Sequence, residues 1–145
     1  MNSQETEILL AEDNRADVTL VEEALRLYDL NVKLLVLDDG EKAIRFIDKL
    51  ENDPEAKCPE LFLLDLNLPR RSGEEILARK LKSDKCRRIP VIILTSSDSP
   101  KDREMTSRLG ANRYFRKPPS FDGFMEIGAL VRDVLTQVRS KSTGG

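Results

Sequence analysis

Glu12, Asp13, Asp65, Thr95 and Lys117 are the residues of this chain whose types and spacing suggest chemistry. Asp65 stands in the stretch LFLLDLNLP, where four apolar residues run straight into an acid. A carboxylate at the tip of a buried strand is costly unless something nearby needs its charge. Taken singly, the others have ordinary readings. Glu12–Asp13–Asn14 could open a helix, with Asn as cap and the acids favouring its dipole. Thr95 could cap a loop, and Lys117 could be a surface lysine ahead of a turn. The conjunction favours a shared site.

Glu12, Asp13 and Asp65 repel one another if all are ionised at short range. One divalent cation and Lys117 would balance them. Mg²⁺ suits such a set, because it takes oxygen ligands, keeps several waters and needs only one or two carboxylates plus a phosphate. A carboxylate beside Mg²⁺, a lysine and a hydroxyl is equipped to attack a phosphoryl group. The metal and Lys117 would stabilise the equatorial oxygens, and Thr95 would hydrogen-bond one of them.

The elements that must position these residues follow from periodicity. Glu7–Ala11 (EILLA), Val32–Leu37 (VKLLVL), Leu61–Leu64, Val91–Leu94 (VIIL) and Arg113–Arg116 read as strands. Arg15–Tyr28 places Val18, Val21, Leu25 and Tyr28 on one helical face, and Gly40–Leu50 turns Ala43, Ile44 and Ile47 inward. Gly73–Ser83 is a third helix. Lys101–Leu109 is a weak fourth, with Gly110 placed to stop it. Ser120–Val138 is the last, and residues 139–145 form a flexible tail. Strand and helix alternate five times with short connections. That pattern predicts an α/β fold: a five-stranded parallel sheet, doubly wound, with helices on both faces. Ligands in such sheets sit beyond the carboxyl ends of the strands, which is where the five residues fall.

A chain of 145 residues is one ordinary domain. Lys plus Arg number 24 against 26 Asp plus Glu, so there is no basic excess of the kind that nucleic-acid binders show. No secretory segment and no apolar run of ~18 residues is present, which predicts a cytoplasmic protein that does not span a membrane. Cys58 and Cys86 are isolated, and histidine is absent, which removes His triads, His metal sites and an internal phosphohistidine.

In order along the chain, LLAEDN, LLDLNLP with the following Gly73, VIILTSS and GANRYFRKPP resemble the receiver domain of two-component response regulators, from about Glu7 to Val138. The resemblance implies a flavodoxin-like fold. It implies Asp65 as phosphoacceptor, Asp13 as direct Mg²⁺ ligand, Glu12 acting through a metal-bound water, and Asn67 giving its backbone carbonyl to the metal. It implies Thr95 as hydroxyl switch, Lys117 as the site lysine, Tyr114 as aromatic switch, and a cis bond before Pro118. The stretches DLNLPRRSGEEILARKLKSD and GANRYFRKPPSFDGF are most similar to small single-domain regulators of bacterial phytochrome kinases. The implied partner is a sensor histidine kinase, and the chain would catalyse only its own phosphorylation and dephosphorylation. Two other readings compete. A Mg²⁺-dependent phosphohydrolase usually has a second acid two residues after its nucleophile, where this chain has Asn67. A phosphate-independent binding module would not need a complete site.

The last helix suggests an interface. On a wheel of ~100° per residue, Phe121, Phe124, Met125, Ile127, Gly128, Leu130, Val131, Val134, Leu135 and Val138 cover roughly 220°, against ~100–140° for a helix lying on one sheet face. Ile127, Leu130 and Val134 form a second stripe, which predicts a homodimer through that helix.

Overall fold

The computed structural model describes residues 5–143, with side chains to residue 140. Five parallel strands form one sheet in the order β2-β1-β3-β4-β5, from β1 (Thr6–Ala11), β2 (Val32–Leu37), β3 (Leu61–Leu64), β4 (Val91–Thr95) and β5 (Arg113–Arg116). The helices are α1 (Arg15–Leu27), α2 (Gly40–Glu51), α3 (Gly73–Leu81), α4 (Pro100–Arg108) and α5 (Phe121–Thr143). The predicted doubly wound sheet is the observed one.

Side-chain alternation along each strand builds two cores. Leu9, Ala11, Phe62, Leu64, Val91 and Ile93 meet α2, α3 and α4 through Ala43, Ile47, Ile76, Leu77 and Met105. Ile8, Leu10, Leu61, Leu63, Ile92 and Leu94 meet α1 and α5 through Val21, Ala24, Leu25, Phe124 and Val131. All four residues of β3 are buried because it lies between β1 and β4 with helices on both faces. That explains its unbroken apolar run.

Local signals set the helix starts. Asn14, Asp39, Ser72 and Ser99 each accept a backbone N–H at the third helical position, and Ser72 with Glu75 completes a capping box. Pro100 at the first turn pre-sets α4, one residue earlier than the sequence suggests.

Two expectations for the last helix need correction. It continues past Val138 to Thr143. Arg139 holds this end by donating to Thr6 Oγ1 at 2.6 Å and lying 3.2 Å from Glu60 Oε1; residues 144–145 lie outside the described residues. The second apolar stripe is also not an outer face. Ile127 is 0 % exposed and Val134 3 %, while Leu130 packs partly buried against the same core. The wide arc exists because α5 is sandwiched between the sheet and α1, so two neighbours within the chain cover it. A dimer seated on that stripe would have to dismantle the monomer. No helix is long and apolar enough to cross a membrane among the described residues.

The α1–α5 contact depends on Gly128. A Cβ there would lie 2.4 Å from Tyr28 Cδ1 and 2.6 Å from the Ala24 carbonyl oxygen, and the latter is backbone that cannot swing away. Gly128→Ala gains up to ~1 kcal/mol of helix propensity, but overpacking costs about 1–3 kcal/mol. The expected outcome in urea unfolding is a net loss of stability, where the same change at an exposed helical glycine would stabilise.

Candidate functional site

The strand order places the topological switch point between β1 and β3, with a crevice at their carboxyl ends. Glu12 and Asp13 follow β1, and Asp65 follows β3. Carboxylate oxygens of all three lie within 4.8 Å of one another. Asp65 is held from below, since its N–H donates to the Ala11 carbonyl at 3.0 Å, and the Asn67 N–H donates to Asp65 Oδ1 at 3.2 Å. Asn67 itself is exposed.

Gly73 lets the following helix close against this turn. Its N–H donates to the Leu66 carbonyl at 3.1 Å, and a Cβ at this position would lie 2.8 Å from Leu66 Cα. Any side chain here would displace the loop that carries Asp65.

Lys117 crosses the site from the end of β5. Its Nζ lies 2.7 Å from Glu12 Oε1, 2.7 Å from Asp17 Oδ2 and 3.2 Å from Asp65 Oδ2. The contacts to Asp17 and Asp65 are hydrogen bonds. The contact to Glu12 has ion-pair distance without hydrogen-bond alignment, so the buried Glu12 Oε1 has no hydrogen-bond partner. The other oxygen, Oε2, accepts from the Asn14 N–H at 3.1 Å.

The charges respond to this crowding. Burial, reinforced by the nearby Asp65 charge, outweighs the help from Lys117 and pushes the Glu12 carboxyl up to about 7. Burial alone would lower Lys117. Its close contacts with Asp17 and Glu12 and the charge of Asp65 outweigh that effect and hold the ammonium above the ordinary lysine range.

Thr95 is fully buried at the end of β4, and its Oγ1 accepts from the Ser97 N–H at 3.3 Å. Its carbonyl accepts from the Lys117 N–H at 2.7 Å, which locks the two strand ends together. The Tyr114 hydroxyl donates to the Ser97 carbonyl at 2.8 Å, and the Arg103 guanidinium lies 4.2 Å from its ring centre. The fold thus places Glu12, Asp13, Asp65 and Lys117 together, with Thr95 at the next strand end and Tyr114 tied to the loop after it.

Two findings depart from the sequence reading. Asp17 is a third anchor for Lys117 that the sequence analysis did not single out. Its signal was present in EDNRAD, where the third residue after the Asn14 cap points back over the strand end. The Lys117–Pro118 bond is trans, since no cis peptide bond occurs among the described residues. Trans is the lower state of an X–Pro bond by about 0.5–1 kcal/mol, and Lys117 reaches all three acids without departing from it.

A five-stranded 2-1-3-4-5 sheet with an acid-lined, lysine-bridged crevice at its switch point defines a receiver-type α/β module. The chain matches the response regulator receiver domain over residues 8–127 and belongs to that family. It is 40% identical to the response regulator Rcp1 of Synechocystis sp. over 110 residues, which is 76% of this chain and 75% of Rcp1. Among solved structures, it resembles the phosphorylated cyanobacterial phytochrome response regulator RcpA with a TM-score of 0.82 at 30% identity, covering 93% of this chain and 96% of RcpA. The Mn²⁺-bound form of Rcp1 aligns with a TM-score of 0.77 at 35% identity, covering 86% and 91% of the two chains.

Raising the pKa of a carboxyl on folding gives stability that is complete below the unfolded value and lost as pH rises through the folded one. For Glu12 that window runs from 4.5 to about 7. In chelator-treated protein, thermal stability should therefore fall across this range, and Glu12→Gln should flatten the slope. Histidine, absent here, cannot mask the effect. A saturating divalent cation should reverse the trend, with its affinity, measured by titration calorimetry, rising through the same window.

Proposed function

We propose that this receiver domain accepts a phosphoryl group from a phosphohistidine of a sensor kinase onto Asp65. The observation that carries the reading is the position of Asp65. It is 6 % exposed at the switch point, with Oδ2 held by Lys117 at 3.2 Å and two further carboxylates within 4.8 Å. An Asp65 carboxylate oxygen attacks phosphorus, the P–N bond breaks, and the imidazole leaves with its electron pair and takes up a proton. The product is an acyl phosphate on Asp65.

The donor set fits a Mg²⁺ ion. Glu12 Oε1 is buried and lacks a hydrogen-bond partner, and the clustered oxygens are hard ligands. Asp13 would ligate directly, Glu12 through a bound water, and Asp65 and the Asn67 carbonyl would complete the protein share. Bound there, the ion would supply charge neutralisation for the phosphoryl oxygens. Lys117 is poised to do the same from the other side, and Thr95 to hydrogen-bond one oxygen.

Transfer would draw the Thr95 hydroxyl toward the phosphoryl group and away from the Ser97 N–H. Tyr114 holds the Ser97 carbonyl, so the loop and the ring would move together. The signal would leave through the surface of α4, β5 and α5 by protein contact. The similarity to Rcp1 and RcpA supports a phytochrome-type kinase as donor and a cytoplasmic setting.

Incubation with a small phosphodonor and Mg²⁺ should add one phosphoryl group by intact mass, and Asp65→Asn should abolish it. Undiminished addition to that variant would overturn the assignment. Asp13→Ala should weaken Mg²⁺ binding at least tenfold, consistent with loss of one direct ligand. Thr95→Ala should retain labelling yet lose most of the phosphorylation-dependent change in Tyr114 fluorescence.

A further inference from the structure

Asp17 is the one acid on Lys117 that the metal and phosphoryl chemistry does not account for. Glu12 and Asp65 belong to the carboxylate cluster at the switch point, and Asp17 does not. Yet Asp17 holds the ammonium more closely than the acceptor does, with Oδ2 at 2.7 Å against 3.2 Å for Asp65 Oδ2. The side chain of Asp17 is 19 % exposed and that of Lys117 9 %, so water and salt screen this pair less than an open surface pair.

The place of Asp17 is set by α1. Asn14 caps that helix and accepts the Asp17 N–H at 3.1 Å, which makes Asp17 the third helical residue. A carboxylate in the first turn is favoured by the helix dipole. Among the described residues it meets no cation other than Lys117. The backbone of Lys117 is fixed in turn by its N–H bond to the Thr95 carbonyl, so only its side chain is free to shift.

Two demands therefore fall on one ammonium. Before transfer, Lys117 offsets the acids around it. With a phosphoryl group on Asp65, the same ammonium serves the phosphoryl oxygens, and that draws it from Asp17. An open depression of about 600 Å³, lined in part by Asn14, Asp17, Ser96, Lys117 and Pro118, borders the pair and leaves room for the movement.

We propose that Asp17 is a positioning residue that competes with Asp65 and its phosphoryl group for Lys117. By drawing the ammonium toward α1, it leaves Glu12 and Asp65 more open to a divalent cation. By the same pull, it weakens the hold on an anionic phosphoryl group. The negative charge of Asp17 acts in the same sense, attracting the cation and repelling the anion. The proposal rests on the phosphotransfer reading, since it assigns Lys117 to the phosphoryl oxygens.

Titration calorimetry of the full chain tests it, first with Mg²⁺ alone and then with beryllofluoride at saturating Mg²⁺. Beryllofluoride is an anion that mimics a phosphoryl group on a carboxylate. Asp17→Asn keeps the size of the side chain and the N–H bonded to Asn14. It should bind Mg²⁺ more weakly and beryllofluoride more tightly, each by about fivefold, the upper end for a partly screened ion pair. Asp17→Ala should move both affinities in the same directions. Asp17→Glu, which restores the charge, should return both most of the way to wild type. A structural role alone would weaken both ligands, because a displaced α1 disturbs the whole rim. The proposal is overturned if the two affinities fall together in Asp17→Asn and Asp17→Ala, or if beryllofluoride binds these variants no more tightly than wild type. A wild type that binds no beryllofluoride overturns the phosphotransfer reading as well, so the two failures are told apart.

Discussion

One ammonium among four carboxylates is the constraint on which the site depends. Lys117 touches Glu12, Asp17 and Asp65, and Asp13 stands with Glu12 and Asp65 in the same cluster. At an effective dielectric of ~20, each unit-charge pair at ~4 Å is worth about 4 kcal/mol. One cation therefore offsets only part of the mutual repulsion of four acids. Burial of Glu12, with the Asp65 charge adding to it, favours the protonated form of that carboxyl and so lessens the repulsion. A rim with excess negative charge and a buried oxygen lacking a hydrogen-bond partner is set to receive positive charge. The same imbalance explains why Lys117 stays charged despite burial.

Holding such a cluster requires a stiff frame. Glu12, Asp13 and Asp65 follow β1 and β3, two interior strands of the sheet, and Asp65 is bonded back to Ala11. Lys117 is bonded back to Thr95, so movement at either strand end is felt at the other. Close approaches finish the frame: Gly73 lets α3 touch the Leu66 backbone, and Gly40 fits against the Arg71 carbonyl. Against this rigidity, Ser97 is the adaptable point. It bonds Thr95 through its N–H, Tyr114 through its carbonyl and Asp102 through its hydroxyl. Its loop thus links the rim to the start of α4.

The two ends of the sheet are built differently. The β5 edge carries charged residues, with Arg113 and Arg116 engaged with Asp133 and Asp98, which suits a surface exchanging soluble partners. The β2 edge is apolar on both faces.

Much of this was legible in the linear sequence because it rests on local rules. Alternating strands and helices, the cap at Asn14, and acids placed just after apolar runs all follow from spacing, and they led to Glu12, Asp13, Asp65, Thr95 and Lys117. What spacing could not show was how much of an apolar surface the chain itself would cover. The arc of α5 was read as an interface because a wheel does not reveal that α1 lies against it, whereas the exposed apolar residues of β2 were read as an ordinary strand because its place at the edge is set by strand order. Asp17 and the trans bond before Pro118 were likewise decided in three dimensions. The first depends on how α1 brings Asp17 to the end of β5, where Lys117 meets it; the second is the ordinary lower state of an X–Pro bond. Local sequence determines elements and their caps, since those energies act within a few residues; burial and charge pairing are settled only when distant segments meet.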